Sequence, residues 1–110
     1  MITVVDIAGM APVREEQAEV TRFLNDGTVG AQRVEGMAYR LAPGGKAGPF
    51  LEAAAYQLFY VTEGRPEAHY GSGRHALGPG RGVYCDPGES CGFENPGGAP
   101  AAFYRFLIPA

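Results

Sequence analysis

The side chains able to do chemistry in this chain are few, and their spacing excludes several common kinds of site. Its thiols are Cys85 and Cys91, six positions apart, which fits neither a zinc-ligand pair nor a CxxC redox pair. In a reducing compartment they are expected as free thiols. Its imidazoles are His69 and His75, which flank Gly71-Ser72-Gly73 as a cross-strand pair would. Solvent-exposed rings are the plain expectation there, and metal binding is the lesser alternative. The stretch from Gly71 to Gly82 is rich in glycine, but it holds no Lys-Ser/Thr step and leads into no helix, so it reads as turns and not as a phosphate loop. Charges are scattered along the chain with a formal net charge of −3, which marks no surface for a phosphate backbone. Nucleic acid is therefore not an expected partner.

The elements that must position these residues are short strands. A chain of 110 residues is the size of one compact domain, read here as 1–110, with an N-terminal arm and first strands over 1–35 and a barrel core over 36–110. Seventeen glycines and nine prolines would fit disorder, but 45% hydrophobic residues with six Phe and six Tyr argue for a packed core broken by many turns. The opening Ile2 to Ile7 reads as a strand, Pro12 to Glu19 as a helical turn or irregular arm, and Val20 to Leu24 as the next extended piece. Asn25-Asp26-Gly27 marks a turn; Ala31 to Val34 and Met37 to Leu41 read as strands separated by Glu35-Gly36. Further strands are expected at Phe50 to Ala53, Gln57 to Thr62, Glu67 to Tyr70, Arg74 to Leu77, Gly82 to Cys85, Cys91 to Glu94 and Ala102 to Ile108. Turn chemistry such as Gly78-Pro79-Gly80 and Asp86-Pro87-Gly88 lies at nearly every junction, the pattern of an all-β sandwich or barrel. No apolar run approaches the roughly 18–20 residues of a membrane span. The start MITVVDIAGM lacks the basic residues and apolar core of a signal peptide, so a cytoplasmic location and no membrane contact are expected.

The intervals from Gly44 to Asn95 carry a resemblance to a known family. Gly44, five residues, Phe50-x-Glu52, four residues, Gln57, six residues, Gly64 has the spacing of the first cupin motif. Gly80, five residues, Asp86-x-Gly88, two residues, Cys91, three residues, Asn95 has the spacing of the second. The chain thus resembles a small bacterial single-domain cupin, which implies an all-β double-stranded β-helix (jelly-roll) barrel with an N-terminal arm. The retained glycines fall where strands turn sharply to close a small barrel.

In that family, two histidines and a glutamate of the first motif and a histidine of the second hold a divalent metal. The corresponding positions here are Phe50, Glu52, Gln57 and Cys91. Phe50 has no donor and Gln57 is a poor ligand, so two candidates remain where catalytic zinc takes three, and no metal or other cofactor is expected. The resemblance instead implies a pocket for a small organic molecule. Glu52 and Cys91 are the candidate catalytic residues. An inward carboxylate is costly unless paired, and its desolvation would suit it to proton transfer; the plainer alternatives are a solvent-facing Glu52 or one bound to Arg40 or Arg105. Cys91 is either a nucleophile or proton donor, or a small buried filler. Gln57 is expected to orient substrate, Phe50 and Phe93 to form an apolar wall, Tyr39, with Tyr56 and Tyr60, to add polar tips, and His69 to border the pocket.

The expected function is that of a metal-independent enzyme of the isomerase, cyclase, dehydratase or lyase type, in the manner of tailoring enzymes of polyketide or other secondary metabolism. A non-catalytic binding or sensory cupin is the alternative, and a remodelled metal site from Glu52, Cys91 and His69 is the third reading. Because cupins pair through their outer sheets and exchange N-terminal strands, a homodimer using the arm from Ile2 to Leu24 is expected.

Overall fold

The structure is a computed structural model and describes residues 2–25 and 34–110. Among the described residues ten strands form: β1 (Val13–Glu15), β2 (Ala18–Leu24), β3 (Glu35–Leu41), β4 (Lys46–Leu51), β5 (Ala55–Glu63), β6 (Glu67–Tyr70), β7 (Gly73–Ala76), β8 (Gly82–Cys85), β9 (Ser90–Glu94) and β10 (Ala101–Pro109). They make a six-stranded sheet in the order β1-β2-β3-β10-β5-β8 and a four-stranded sheet in the order β4-β9-β6-β7. From β3 onward the chain passes back and forth between the two sheets, and the strands of each sheet pair antiparallel. This is the wound, two-sheet barrel of a double-stranded β-helix.

Period-two alternation sets which side chains enter the barrel. On β5, Gln57, Phe59 and Val61 are buried while Leu58, Tyr60 and Thr62 are exposed. On β10, Phe103 lies opposite Val61 and Tyr39, and Arg105 opposite Phe59 and Met37. The barrel centre is filled by its own aromatic rings. Phe103 stacks on Phe93 at 4.3 Å and on Tyr39 at 5.1 Å; Phe59 meets Phe93 at 5.0 Å and Phe50 at 5.5 Å. Such ring pairs add about 0.5–1.5 kcal/mol each beyond their area burial.

The glycines and the asparagine kept at the family's intervals act on shape. Gly44, Gly64, Gly80 and Gly88 all have positive φ. Gly64 is doubly constrained, since a Cβ there would lie 2.7 Å from the Pro100 carbonyl oxygen. Asn95 is fully buried; its Nδ2 donates to the Leu41 and Ala99 carbonyls at 3.1 and 2.8 Å, and its Oδ1 accepts from the Gly97 N–H at 3.2 Å. One side chain thereby ties the end of β3 to the β9–β10 connection and satisfies backbone groups there.

Several boundaries differ from the sequence expectation. Ile2 to Asp6 form no strand: Ile2 and Val4 are 95% and 90% exposed, and the segment leads into a short 3-10 turn at Ile7–Gly9, where Asp6 Oδ1 accepts from the Gly9 N–H at 3.2 Å. Strand propensity without a neighbouring strand to pair with does not suffice. Pro12 to Glu19 is not helical. Its residues supply β1 and the start of β2, joined at Glu16, whose φ of 54° makes the tight reversal, and Arg22 pairs with Glu15 across the hairpin. Glu35-Gly36 does not separate strands but lies inside β3, where a Cβ on Gly36 would lie 2.9 Å from Phe23 and 3.1 Å from Leu24 and Phe106. That glycine serves close packing. The strand expected from Phe50 to Ala53 ends at Leu51, so Glu52 stands past it at the barrel rim. The expected turn at Asn25-Asp26-Gly27 and strand from Ala31 to Val34 fall, apart from Asn25 and Val34, outside the described residues.

Candidate functional site

Two strands and a turn bring Phe50, Glu52 and Gln57 together, and the group they surround is Arg105. Its side chain enters from β10 and is 7% exposed. Nε and Nη2 donate to Gln57 Oε1 at 3.1 and 2.8 Å, and Nη2 donates to Glu52 Oε2 at 3.2 Å. The guanidinium lies over the Phe50 ring, 4.3 Å from its centroid. Nη1 faces the Met37 thioether at 3.9 Å, and the Tyr39 hydroxyl approaches the same sulfur at 3.8 Å.

Gln57 is saturated. Its Oε1 accepts both Arg105 bonds, while its Nε2 donates to the Phe50 carbonyl at 3.1 Å and the Glu89 carbonyl at 3.4 Å. The neighbours explain the residue type: two carbonyl oxygens on one side need a donor and a guanidinium on the other needs an acceptor, which an amide supplies and a carboxylate does not. Gln57 therefore positions Arg105 and has no capacity left for a bound molecule.

Glu52 differs in kind, since its side chain is 38% exposed and touches Arg105 through one oxygen. Of the two arginines the sequence offered as its partner, Arg105 is the one; Arg40 pairs with Glu63 at 2.7 Å, with both side chains exposed. The deep desolvation expected of Glu52 is not what positions it, because the strand ends before it and leaves the carboxylate at the rim.

Cys91 lies across from Phe50 on β9 and is fully buried. Desolvation, and then the nearby Cys85, push its thiol up to about 12. Its place inside the apolar core cluster favours the filler reading of Cys91 over a chemical one. Cys85 is shifted in the same direction, by burial first and then by Glu89 and Asp86.

The remaining expected residues disperse. Tyr39 packs edge-on against Phe50 at 5.2 Å and, with Phe50, borders a cavity of about 240 Å³ next to Glu15, Lys46 and Pro49. Phe93 is 2% exposed within the aromatic centre and lines neither this cavity nor the larger one beside β8. That larger cavity, of about 730 Å³, opens between β8 and the β6–β7 turn and is lined by Tyr70, Val83, Tyr84, Cys85, Glu89 and Ser90. Sequence reasoning did not reach Glu89, Tyr70 or Tyr84. His69 is on the outer face of the four-stranded sheet, since its neighbour Ala68 is the one that points inward opposite Phe93. Its Nε2 lies 3.5 Å from Glu67 and 3.9 Å from Glu94, so His69 does not border the pocket and cannot join Glu52 and Cys91 in a metal set. His75 stacks on Tyr70 at 4.1 Å. Tyr56 and Tyr60 belong to the outward phase of β5.

The residues at the family's metal positions do not fit a divalent ion. Phe50 offers no donor, and Gln57 Oε1 already accepts two hydrogen bonds. The one carboxylate, Glu52, has a guanidinium at 3.2 Å, where a second cation would be repelled. Among the described residues no three His, Cys, Asp or Glu side chains are grouped to ligate a metal.

Comparison with known proteins agrees with this geometry at the level of fold. A predicted oxalate decarboxylase from Thermotoga maritima superposes with a TM-score of 0.88 at 20% identity, covering 98% of this chain and all of that one. A Cupin 2 conserved barrel domain protein from Salinispora arenicola gives 0.79 at 24% identity, covering 100% and 89%. The polyketide cyclase RemF from Streptomyces resistomycificus gives 0.84 at 21% identity, covering 98% and 80%. No curated protein sequence is significantly similar. Identities this low speak for shared architecture alone, but the sequence profile described as "Cupin domain" matches residues 37–108 directly. With both motif intervals inside that match and the two-sheet barrel built from it, the chain belongs to the cupin family.

Proposed function

We propose that this cupin acts on a small organic molecule by non-redox acid–base chemistry, of the isomerase, cyclase, dehydratase or lyase type, without a resident divalent metal. The observation that carries the reading is the Glu52 carboxylate, held at the barrel rim by Arg105 through one oxygen and partly open to solvent. It is the candidate proton carrier; Phe50 and Tyr39 supply the apolar wall beside it, and Gln57 fixes Arg105. Cys91 is not part of this reading. The similarity to a polyketide cyclase supports a polyketide-like substrate and a place in secondary metabolism.

Proton transfer to or from carbon is visible without knowing the product. Soluble β-dicarbonyl compounds incubated with the protein in D2O are expected to exchange their activated protons faster than in buffer. Glu52→Gln should slow that exchange by about 10²–10⁴-fold, the usual worth of a positioned general base, while Cys91→Ala should leave it unchanged. Exchange that is equal in wild type and Glu52→Gln removes the catalytic role.

A second reading, a binding or sensory cupin, is favoured by the ring-filled barrel centre and by the saturation of Gln57. Tight ligand binding without any exchange would establish it. We further infer a homodimer, from the aromatic outer face of the six-stranded sheet, and a cytoplasmic location. Among the described residues no helix is long and apolar enough to cross a membrane.

A further inference from the structure

Arg105 is the only buried charged side chain among the described residues, and its charge is compensated thinly. Both Gln57 bonds go to a neutral amide oxygen, and Nη1 faces a thioether at 3.9 Å. The one carboxylate within ion-pair distance among the described residues is Glu52, attached by a single oxygen at 3.2 Å and 38% exposed. The guanidinium is fixed by Gln57 at one edge and by the Phe50 ring beneath it, whereas the Glu52 side chain, one residue past the end of its strand, is 38% exposed and held by one hydrogen bond. The rigid member of the pair is the cation and the exchangeable member is the carboxylate.

We propose that Arg105 is the resident cation of this barrel, beside three of the positions where the family places its metal, Phe50, Glu52 and Gln57, and that it receives the carboxylate of a small ligand in exchange for Glu52. The inference rests on the reading of the barrel rim as a small-molecule site and names the ligand class. Charge decides that class. A neutral ligand that displaced Glu52 would leave a buried guanidinium uncompensated, whereas a carboxylate replaces like with like and matches the planar fork of the arginine.

Propionate, which has the size and charge of the Glu52 side chain, is the probe, with propionamide as its neutral counterpart. Calorimetric titration is expected to show propionate binding Glu52→Ala at least about tenfold tighter than wild type, equivalent to about 1.4 kcal/mol, because the internal competitor is gone. Propionamide should bind neither better than buffer controls. In the Glu52→Ala background, Arg105→Lys should abolish most of the gain, since an ammonium cannot offer the fork. Should that double variant fold poorly, the Arg105 Nε–H resonance of Glu52→Ala in ¹⁵N spectra serves instead and should move on propionate titration. Equal propionate affinity for wild type and Glu52→Ala, propionamide binding as well as propionate, or a motionless Nε–H resonance would each overturn the proposal. So would near-stoichiometric zinc, copper or iron in protein purified without chelator or nickel resin. These are binding readouts: unaltered proton exchange in Glu52→Gln would end the catalytic reading and leave this one standing, and equal affinities would do the reverse.

Discussion

At the scale of single residues, the site separates a group open to solvent, Glu52, from groups that hold other groups in place. Gln57 belongs to the second kind. Its amide joins the buried guanidinium to two backbone carbonyls, so Gln57→Met removes a hydrogen bond from all three at once and leaves Glu52 as the side-chain oxygen on Arg105. The expected loss is about 2–4 kcal/mol of unfolding free energy. Glu52→Gln removes the carboxylate from the buried guanidinium but keeps an acceptor for Nη2 at a partly exposed position, so it should cost less, about 1–2 kcal/mol. Chemical denaturation of the two variants tests the order, and a Gln57→Met loss equal to or below that of Glu52→Gln would contradict the positioning role. The motif intervals made Phe50, Glu52 and Gln57 legible as a group, because closing a small barrel delivers those positions to one place. Arg105 was named only as one of two partners for Glu52. The reason is physical: β10 carries Phe103, Arg105 and Leu107 on one phase and Tyr104, Phe106 and Ile108 on the other, so apolar alternation does not say which face is inside. For His69 the signal was present, since period two puts it with Glu67 on the polar phase of β6.

At the scale of elements, what the family spacing preserved is the turning of strands, and the glycines can be ranked by what constrains them. Gly80 has a φ of 88° but nothing within 4 Å of where a Cβ would stand, so Gly80→Ala meets only the left-handed backbone cost, about 1–2 kcal/mol. Gly64 has a φ of 75° and in addition a Cβ position 2.7 Å from the Pro100 oxygen and 3.0 Å from Ala101. Overpacking of that kind adds about 1–3 kcal/mol, so Gly64→Ala should lower the melting temperature distinctly more than Gly80→Ala. Equal losses would mean that the β5–β6 turn yields without resistance. The same comparison shows why the core strands were readable and the N-terminal segment was not. From Gln57 onward, alternation, turn residues and pairing all agree, and strands such as β6 and β8 occupy the expected residues. Before Leu24, the polar run Arg14 to Glu19 has helix-forming side chains, and only pairing of β1 with β2, and of β2 with β3, turns it into sheet.

At the scale of the whole molecule, the outer face of the six-stranded sheet breaks the usual rule that an antiparallel sheet is polar where it meets water. Three neighbouring strands present Tyr56, Leu58 and Tyr60 on β5, Tyr104, Phe106 and Ile108 on β10, and Tyr84 on β8. Leu58, Tyr60, Tyr84 and Ile108 are 41%, 44%, 59% and 44% exposed, and the proposed homodimer rests on this apolar surface. In the arm from Ile2 to Leu24, β1 and β2 pair within their own chain, so any exchange between copies proposed for the arm falls to residues 2–12. Light scattering at micromolar concentration is therefore expected to give twice the chain mass. Replacing Leu58 and Tyr60 together by Arg sets like charges against each other across a two-fold interface, and should give the single-chain mass with an unchanged far-ultraviolet spectrum, since both side chains point away from the barrel. A wild-type mass of one chain, or a double variant that stays dimeric, removes the outer face from the assembly and leaves the aromatic surface to a partner of another kind.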